Sequence, residues 1–322
     1  MTTVLVTGGA GYIGSHTVKA LTRQGFEVVV FDNLSAGRRE FVPDAELVTG
    51  DLLDRGAVRE VFKGRDIAAV LHFASLIQVG ESYADPRKYY RGNLVTSLNL
   101  LDAMLDAHVA RFIFSSSAAV YGVPNALPIP EDHPLDPINP YGQTKAMVER
   151  ILRDYERAHG LRYVSLRYFN AAGADPEGGL GETHDPETHL IPNILLAMLG
   201  KKEALDIFGT DFPTPDGTAV RDYIHVTDLA EAHVLALRRL IAGEAGEVVN
   251  LGTNRGYSVR EVVAKAEEIT GRKVPCRDQP RREGDVAVLL ASKEKAERLF
   301  GWTQSHSDLE TIIATAWNWN RR

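Results

Sequence analysis

The length, composition and charge of the chain are those of an ordinary globular protein. Its 322 residues are 44% hydrophobic and 25% charged, enough for one large or two modest domains. A net charge of −7 without a basic cluster argues against nucleic acid as the main partner. No apolar run approaches the roughly eighteen residues of a membrane span, no signal peptide is recognised, and Cys276 is the only cysteine, so we expect a cytoplasmic protein without disulfides.

A glycine-rich turn near the start of the chain indicates a dinucleotide-binding unit. A short apolar strand, residues 3–7, leads through the glycine-rich turn 8–14 into a predicted helix over residues 16–24, and a second strand ends at Asp32. In such a unit the glycines allow a tight bend and close approach of a pyrophosphate to the helix N-terminus. Asp32 would bind a ribose diol and repel a 2′-phosphate, which predicts NAD rather than NADP. Arg38-Arg39 is interpreted as surface charge.

Short apolar strands continue to alternate with helices. This alternation predicts an α/β fold with a doubly wound parallel sheet of the Rossmann class, whose ligands bind beyond the carboxyl ends of the strands. Asp51-Leu52, Phe73-Ala74 and Ser115 to Ser117 each follow a predicted strand and are expected to line one crevice. The predicted elements are strands 46–49, 68–73 and 112–114 and helix 57–62.

A tyrosine and a lysine one helical turn apart form a candidate proton-transfer pair. Asn139-Pro140 can cap and begin a helix, so Tyr141 and Lys145 are predicted on one helix face. A cation beside a phenol favours the phenolate, and lowering the pKa by roughly 2 to 3 would make the tyrosine a usable base near neutral pH. Ser117 is expected to meet Tyr141, with the proline-rich loop 124–140 between them in sequence.

Two long helices are apolar on more than one face. Such helices need two layers of cover, so we expect one face to pack on the sheet and the other to pair with a second copy in a homodimer; burial against the chain's own loops is the alternative. The residues that carry this pattern are Leu94, Leu98, Leu101, Leu105 and Asn99 to Ala103 on one helix, and Met147, Val148, Ile151, Leu152 and Tyr155 on the other.

The C-terminal half is predicted to be a smaller α/β domain. The boundary is placed at residues 170/171, giving a dinucleotide-binding domain over 1–170 and a substrate domain over 171–322, with part of 220–245 packing back on the first. His225 and His233 lack a third ligand at suitable spacing and are interpreted as structural, so no metal is expected. The predicted elements are loop 173–186, helix 190–199, helix 226–240, strand 248–251 and a helix from a capping box at Ser258 to Glu261 up to about residue 269.

Longer motifs along the chain carry a family resemblance. The glycine turn and Tyr-x-x-x-Lys fit a whole superfamily, whereas RYFN (167–170), RDYIHVTD (221–228) and RREGD (281–285) are typical of nucleotide-sugar enzymes. Together they closely resemble the UDP-glucose 4-epimerases of the extended short-chain dehydrogenase/reductase family, over nearly the whole chain.

The resemblance implies an activity and a set of site residues. It implies NAD-mediated hydride removal and return at C4 of a UDP-sugar through a 4-keto intermediate. Tyr141 would be the acid/base, Lys145 would lower its pKa and hold the nicotinamide ribose, and Ser117 would bind the same sugar hydroxyl. The implied cofactor contacts, besides Tyr141 and Lys145, are Gly8, Gly11, Tyr12, Ile13, Gly14, Asp32, Asn33, Asp51, Leu52, Phe73, Ala74, Asn93 and Phe169, and the implied substrate contacts, besides Ser117 and Tyr141, are Asn170, His189, Arg221, Arg282, Asp285 and Leu289.

The sequence departs from the better-known relatives at three positions. A lysine after His-Phe-Ala is replaced by Ile77, the first asparagine of an Asn-Asn pair by Gly92 with Asn93 kept, and an asparagine before Leu-x-Pro by His189. The imidazole of His189 can still donate a hydrogen bond.

Three alternatives to glucose/galactose epimerisation compete with this interpretation. Sugar dehydratases and decarboxylases of the superfamily carry an acid before Val-Tyr-Gly, where this chain has Ala118-Ala119, so dehydration lacks its second acid/base group. Epimerisation of another UDP-sugar, such as UDP-xylose or UDP-glucuronate, and an inactive NAD-sensing regulator stay open. Leu289 stands where hexose-restricted relatives tend to have Tyr, which predicts that UDP-N-acetylglucosamine is accepted beside UDP-glucose.

Overall fold

The strands of the protein form one large sheet and two small ones. The computed structural model describes residues 2–282 and 284–322. The strands are β1 (Thr3–Thr7), β2 (Glu27–Asp32), β3 (Glu46–Thr49), β4 (Ile67–His72), β5 (Arg111–Ser115), β6 (Arg162–Tyr168), β7 (Asn170–Ala172), β8 (Leu205–Phe208), β9 (Val220–His225), β10 (Glu247–Leu251), β11 (Gly256–Ser258), β12 (Cys276–Gln279) and β13 (Val288–Leu289).

The helices alternate with these strands in the first half of the chain. A π-helical turn, Tyr90–Val95, and two 3₁₀ turns, Arg39–Phe41 and Ala118–Val120, accompany them. The α-helices are α1 (Tyr12–Arg23), α2 (Arg55–Glu60), α3 (Val79–Ala84), α4 (Pro86–Tyr89), α5 (Thr96–Asp106), α6 (Pro140–His159), α7 (Leu190–Met198), α8 (Val226–Ile241), α9 (Val259–Thr270), α10 (Glu294–Phe300) and α11 (Leu309–Asn320).

The main sheet confirms the predicted doubly wound fold. Its seven strands lie in the order β10-β6-β5-β4-β1-β2-β3, and each neighbouring pair is parallel. Helices α1 and α8 cover one face, and α2, α5 and α6 cover the other. Because both faces are covered, consecutive residues such as Val4, Leu5 and Val6 are all buried, which explains the continuous apolar strands of the sequence.

The second part of the chain builds a smaller core. Apolar residues of α7, α9 and α11 pack there against β8 and β9. Strand β9 pairs with β7, β11 and β13, while β8 pairs with β12. The capping box that the sequence predicted is present, since Ser258 and Glu261 exchange side-chain and backbone hydrogen bonds at the start of α9.

Strand β10 departs from the predicted domain boundary. The segment expected to pack back on the first domain does so, since α8 lies against α1 and the main sheet. Strand β10, however, was assigned to the substrate domain and instead extends the main sheet beside β6. The division at residues 170/171 is therefore not a clean one, because the chain returns to the first sheet before it completes the second core.

Helix α1 starts earlier than predicted, at Tyr12 rather than His16. Gly11 is its N-cap and provides no side-chain hydrogen bond, so the N–H groups of the first turn face the glycine loop. The other predicted elements agree to within about two residues at most ends, the usual scatter of helix and strand bounds. No helix among the described residues has the length and apolar character to cross a bilayer.

Candidate active site

The glycine turn after β1 forms a close-fitting cradle. Gly8 has φ +73°, and a Cβ there would lie 2.4 Å from the backbone nitrogen of Ala74, at the end of β4. A Cβ on Gly14 would lie 2.2 Å from the carbonyl oxygen of Gly8. Gly11 donates to the same carbonyl at 3.2 Å and opens α1. The backbone therefore approaches this space closely, beside a helix N-terminus that favours negative charge, as a pyrophosphate site requires.

The three polar side chains predicted to contact the ribose and adenine, Asp32, Asn33 and Asp51, lie at the ends of β2 and β3. Asp32 accepts hydrogen bonds from the backbone nitrogens of Ala10 at 3.0 Å and Leu34 at 2.8 Å. Burial raises the pKa of this carboxyl, and the two backbone hydrogen bonds partly offset that rise. Asn33 donates to Asp51 at 3.1 Å across the ends of β2 and β3.

Arg38 and Arg39 are engaged outside this group. The guanidinium of Arg38 is half exposed and donates to Thr183 at 3.0 Å, while Arg39 contacts Thr49 at 3.4 Å. Both arginines thus have protein partners, in agreement with their interpretation as surface charge.

Residues after β4 form the wall between the cradle and helix α6. The backbone nitrogens of Phe73 and Ala74 donate to the carbonyl oxygen of Thr7 at 2.8 and 3.1 Å, so β1 and β4 end side by side. Asn93 links this wall to helix α6, since its side-chain amide accepts from the Leu76 nitrogen and donates to Thr144 at 3.1 Å. Its side chain is thereby occupied in positioning the wall.

The predicted proton-transfer residues converge at the carboxyl end of β5. Asn139 caps α6 by accepting from the Gly142 nitrogen at 2.7 Å, which places Tyr141 in the first turn. Lys145 follows one turn later, only 3% exposed, and donates to the carbonyl oxygen of Ser115 at 2.8 Å. Ser117 begins the 3₁₀ turn after β5 and hydrogen bonds Tyr141.

The electrostatics of this group differ from the prediction. Burial raises the pKa of Tyr141, opposed by the hydrogen bond from Ser117, and burial lowers the pKa of Lys145 to about 7, with Glu149 acting in the opposite direction. The Lys145 ammonium lies 5.8 Å from the centre of the Tyr141 ring. The expectation that Lys145 lowers the pKa of Tyr141 is therefore wrong, because burial dominates and the Lys145 ammonium donates to the carbonyl oxygen of Ser115.

Three of the predicted substrate residues, Asn170, Arg221 and Leu289, lie on the small sheet around β9. Asn170 begins β7 beside Tyr223 of β9 and donates to the carbonyl oxygen of Asp222 at 2.9 Å. Leu289 is the register partner of Arg221 in the β13–β9 pair, and it packs against an apolar cluster that includes Phe169 and Ala118. The structure thus brings Leu289 next to the turn that holds Ser117.

Two further predicted substrate residues, Arg282 and Asp285, form an ion pair. Arg282 donates to Asp285 at 3.1 Å and lies over the ring of Phe208. Arg221 is more deeply placed; burial lowers the pKa of its guanidinium, and Asp285 opposes that effect. Two arginines near one carboxylate can together receive a diphosphate, which a guanidinium binds through two parallel hydrogen bonds.

A buried network behind Lys145 was not recognised from the sequence. Glu149 lies one turn beyond Lys145 and accepts two hydrogen bonds from Arg167 of β6, at 2.9 and 2.5 Å, and one from Ser116 at 2.7 Å. Arg167 also donates to Tyr121 at 2.8 Å. The sequence did contain a signal for Glu149, which follows Tyr141 and Lys145 at the same four-residue spacing. Its partner Arg167, however, is distant in sequence and could not be identified from that spacing.

The two histidines considered as metal ligands are structural. His225 caps α8 by accepting from the Thr227 nitrogen, and its other ring nitrogen lies 3.0 Å from the Thr315 hydroxyl. His233 is buried against Phe73, and burial lowers its pKa to about 4, so it is neutral. These contacts agree with their interpretation as structural residues.

His189 contacts a carboxylate of the loop that precedes α7. It is the N-cap residue of α7, and its Nδ1 lies 2.5 Å from the carboxylate of Glu182 in the preceding loop. Glu182 and its neighbours in that loop were not recognised as candidate polar groups, because an irregular loop has no periodicity that would indicate which side chains meet.

Sequence and structure comparisons agree with this arrangement. Residues 4–252 match the family described as NAD dependent epimerase/dehydratase. The chain belongs to this family. A family member from Rhizobium leguminosarum bv. trifolii, named UDP-glucose 4-epimerase, is 49% identical over 320 residues, covering 99% of this chain and 98% of the relative.

Solved structures of family members have the same fold. The UDP-glucose 4-epimerase from Brucella ovis in complex with NAD has a TM-score of 0.96 and 51% identity, covering 98% of both chains. The UDP-Glc/GlcNAc 4-epimerase from Campylobacter jejuni has a TM-score of 0.87 and 39% identity, covering 100% of this chain and 99% of that one. The predicted family resemblance and fold class are confirmed.

Proposed function

We propose that this protein interconverts UDP-glucose and UDP-galactose by removing and returning a hydride at C4 through a 4-keto intermediate. The observation that carries the proposal is the position of Tyr141. Its phenol meets Ser117 after β5, which lies two strands from β1 and its glycine cradle in the main sheet, and the turn that follows Ser117 packs in one cluster with Leu289, the strand neighbour of Arg221. A proton-transfer group near both a dinucleotide cradle and a guanidinium is the arrangement that this reaction needs.

The residues of the first domain fit NAD as the cofactor. Gly8 and Gly14 allow the turn to fold tightly, because any side chain there would strike backbone atoms, and α1 offers its N-terminal N–H groups to a pyrophosphate. Asp32 would hold the adenosine ribose, with Asn33 and Asp51 beside it, and Lys145 the nicotinamide ribose. When bound, NAD supplies the acceptor and donor of the C4 hydride and a positively charged ring, which favours the phenolate of Tyr141.

The protein's own part in the chemistry is proton transfer and positioning. Tyr141 accepts the proton of the sugar 4-hydroxyl, Ser117 holds the same oxygen, and Tyr141 returns the proton once the 4-keto sugar has presented its other face. The first turn of α6 supports the phenolate because the helix N-terminus carries partial positive charge. Ala118 and Ala119 stand where dehydratases place carboxylates, so that turn offers no second acid/base group.

The substrate side anchors the nucleotide and leaves the sugar free to turn. Arg221 and Arg282 would bind the diphosphate, with Asp285 orienting Arg282 and Asn170 contributing an amide. Apolar contacts from Leu289 give the hexose a wall without a directional hydrogen bond. Binding energy gained at the nucleotide thereby positions C4 while permitting rotation of the sugar.

A panel of UDP-sugars with product identification by NMR tests the proposal. Purified protein incubated with UDP-galactose, UDP-glucose, UDP-xylose and UDP-glucuronate should yield the 4-epimers of the two hexose substrates. Loss of the C6 hydroxyl would instead indicate dehydration, and epimerisation of UDP-xylose or UDP-glucuronate alone would reassign the substrate. Absence of turnover on every sugar would support the inactive regulator.

The cofactor preference gives one prediction. Protein stripped of its nucleotide should regain activity with NAD, while NADP should bind at least about tenfold more weakly, because Asp32 would face the 2′-phosphate at close range. Asp32→Asn should reduce the difference in affinity between NAD and NADP. Arg38→Ala is the matched control and should leave the preference unchanged, since this side chain contacts Thr183. Recovery of NADP from the purified protein would reverse the interpretation of Arg38.

The wall formed by Leu289 gives a second prediction. Leu289 lies beside Arg221 and the Ser117 turn, where a larger ring would fill the space next to the hexose. We expect measurable epimerisation of UDP-N-acetylglucosamine, and Leu289→Tyr should lower kcat/KM for that sugar by about 10- to 200-fold relative to UDP-glucose. The C. jejuni relative, named for both sugars, supports the expectation. If Leu289→Ser gains no N-acetyl activity and Leu289→Tyr loses none, this residue does not select the substrate.

We also propose that the protein is a cytoplasmic homodimer. Helices α5 and α6 bury one face in the main core through Leu101, Val148 and Leu152, while Met147 and Ile151 stay partly exposed. An open groove of about 850 Å³ runs along that exposed face. A second copy of the two helices would supply the cover that these apolar side chains lack. A single, exposed cysteine, Cys276, suits a reducing compartment.

A further inference from the structure

The loop between β7 and α7 gathers four side chains that are typical metal ligands. Glu182, His184, Glu187 and His189 each offer one ligand atom, and these four atoms lie within 4.8 Å of one another. The group lies apart from the residues proposed for proton transfer, and three of its four members have no part in the proposed function. Its side chains converge although the backbone there is irregular.

The imidazole and carboxylate atoms are close enough to one another to share one ion. Nδ1 of His184 lies 3.0 Å from Glu182 and 3.9 Å from Glu187, and Nδ1 of His189 lies 2.5 and 3.6 Å from the same two oxygens. Two ligands bound about 2.0 to 2.1 Å from a tetrahedral zinc ion are separated by about 3.3 Å. These four distances lie on both sides of that value, and no two of the four ligand atoms are more than 4.8 Å apart, so an ion would reach bonding distance from all four after the side chains adjust around it.

The two carboxylates of the group place negative charge in a largely buried position. The carboxylates of Glu182 and Glu187 are 4% and 9% exposed, so their two negative charges are largely withdrawn from water. Nδ1 of His184 is buried and has no partner of hydrogen-bonding geometry among the described residues, although it faces Glu182. One divalent cation would neutralise both carboxylates and bind this nitrogen; two protons on the imidazoles would supply the same charge without it.

The position of the loop gives such a site a structural role. Tyr12, in the first turn of α1, donates its hydroxyl to the carbonyl oxygen of Gly173 at 2.6 Å, and its ring lies edge-on to His184. At the other end of the loop, His189 is the N-cap of α7. An ion here would fasten the glycine turn of the first domain to the first helix of the second.

We propose that Glu182, His184, Glu187 and His189 bind one divalent transition-metal ion with the ligand preference of zinc. Two imidazoles and two carboxylates are borderline and hard donors, a set that suits Zn²⁺ better than Mg²⁺ or Ca²⁺, which favour six or more oxygens. Four protein ligands close the coordination shell, so the ion stabilises the loop and takes no part in the reaction. The inference does not depend on the proposed function.

Metal titration of the intact protein tests the site. Protein carrying NAD is dialysed against a chelator, then titrated with Zn²⁺ and, separately, with Co²⁺. We expect saturation at one ion per chain, visible Co²⁺ bands of tetrahedral intensity, and a higher Tm in the presence of Zn²⁺. His184→Ala and Glu187→Gln should each weaken Zn²⁺ binding at least about 100-fold, since even changes around the ligands cost 10- to 100-fold.

The exposed His159 provides the matched control, and His159→Ala should bind Zn²⁺ as the parent does. Circular dichroism checks that each variant is folded, and Glu187→Gln, which keeps the shape of the side chain, decides the question if His184→Ala does not fold. Absence of saturable binding by the parent protein would overturn the proposal, as would parental affinity in either ligand variant or a weak, octahedral Co²⁺ spectrum. In those cases two protons balance the carboxylates.

Discussion

Tyr141→Phe is expected to lower kcat by about 10²- to 10⁴-fold, the usual contribution of a general acid/base, while NAD stays bound. The change removes the oxygen that hydrogen bonds Ser117 and leaves the ring in the first turn of α6. The measurement is the rate of UDP-galactose conversion, with NAD content read after denaturation.

Tyr163→Phe is the matched control for this experiment. Tyr163 is a buried tyrosine of β6 that packs in the main core, so loss of its hydroxyl should leave turnover near that of the parent. Near-normal turnover in Tyr141→Phe would contradict the assignment of Tyr141 as the general acid/base. Equal losses in both variants would point to damage of the fold rather than of the chemistry.

Loss of the carboxylate of Glu149 should have the largest effect on stability. Glu149→Met would leave the guanidinium of Arg167 buried and unpaired, since the two side chains are 2% and 4% exposed. Breaking a buried ion pair from one side costs about 3 to 5 kcal/mol in the free energy of unfolding, whereas replacing both partners with apolar residues is often close to neutral. We therefore expect the double variant Glu149→Met with Arg167→Met to regain most of the loss.

Urea unfolding of the two single variants and the double variant measures this coupling. Glu60→Gln is the control: this residue pairs with Lys63 at 2.5 Å on the surface and is 67% exposed, so the change should cost less than about 1 kcal/mol. A loss of similar size in Glu149→Met and Glu60→Gln would contradict the idea that burial decides the strength of the Glu149–Arg167 pair.

The sequence predicted those features that depend on local spacing. The glycine turn, the acid at the end of β2 and the helix capped by Asn139 follow from short-range backbone rules, and the structure has each of them. Ser117 and Tyr141 could be brought together because strands of a parallel sheet end at the same edge.

Features that depend on contacts between distant segments were missed. The strand that ends at Leu251 looked like any other strand, and no pattern in it indicated that it would join the main sheet beside Tyr168. The partner of Glu149 lies on another strand, and the partner of His189 lies in an irregular loop. The pKa of Tyr141 was predicted to be lowered, and this was wrong. Helix spacing places Lys145 on the same face as Tyr141, but it does not reveal that the Lys145 ammonium donates to the carbonyl oxygen of Ser115.

Retention of the C4 hydrogen tests the central claim most directly. UDP-galactose carrying deuterium at C4 is incubated with the purified protein in ordinary water, without added nucleotide, and the product is examined by NMR. Removal and return of the hydride within one site predicts UDP-glucose that keeps the deuterium at C4. UDP-glucose with hydrogen from the solvent at C4, or recovery of UDP-galactose unchanged, would contradict the proposed reaction.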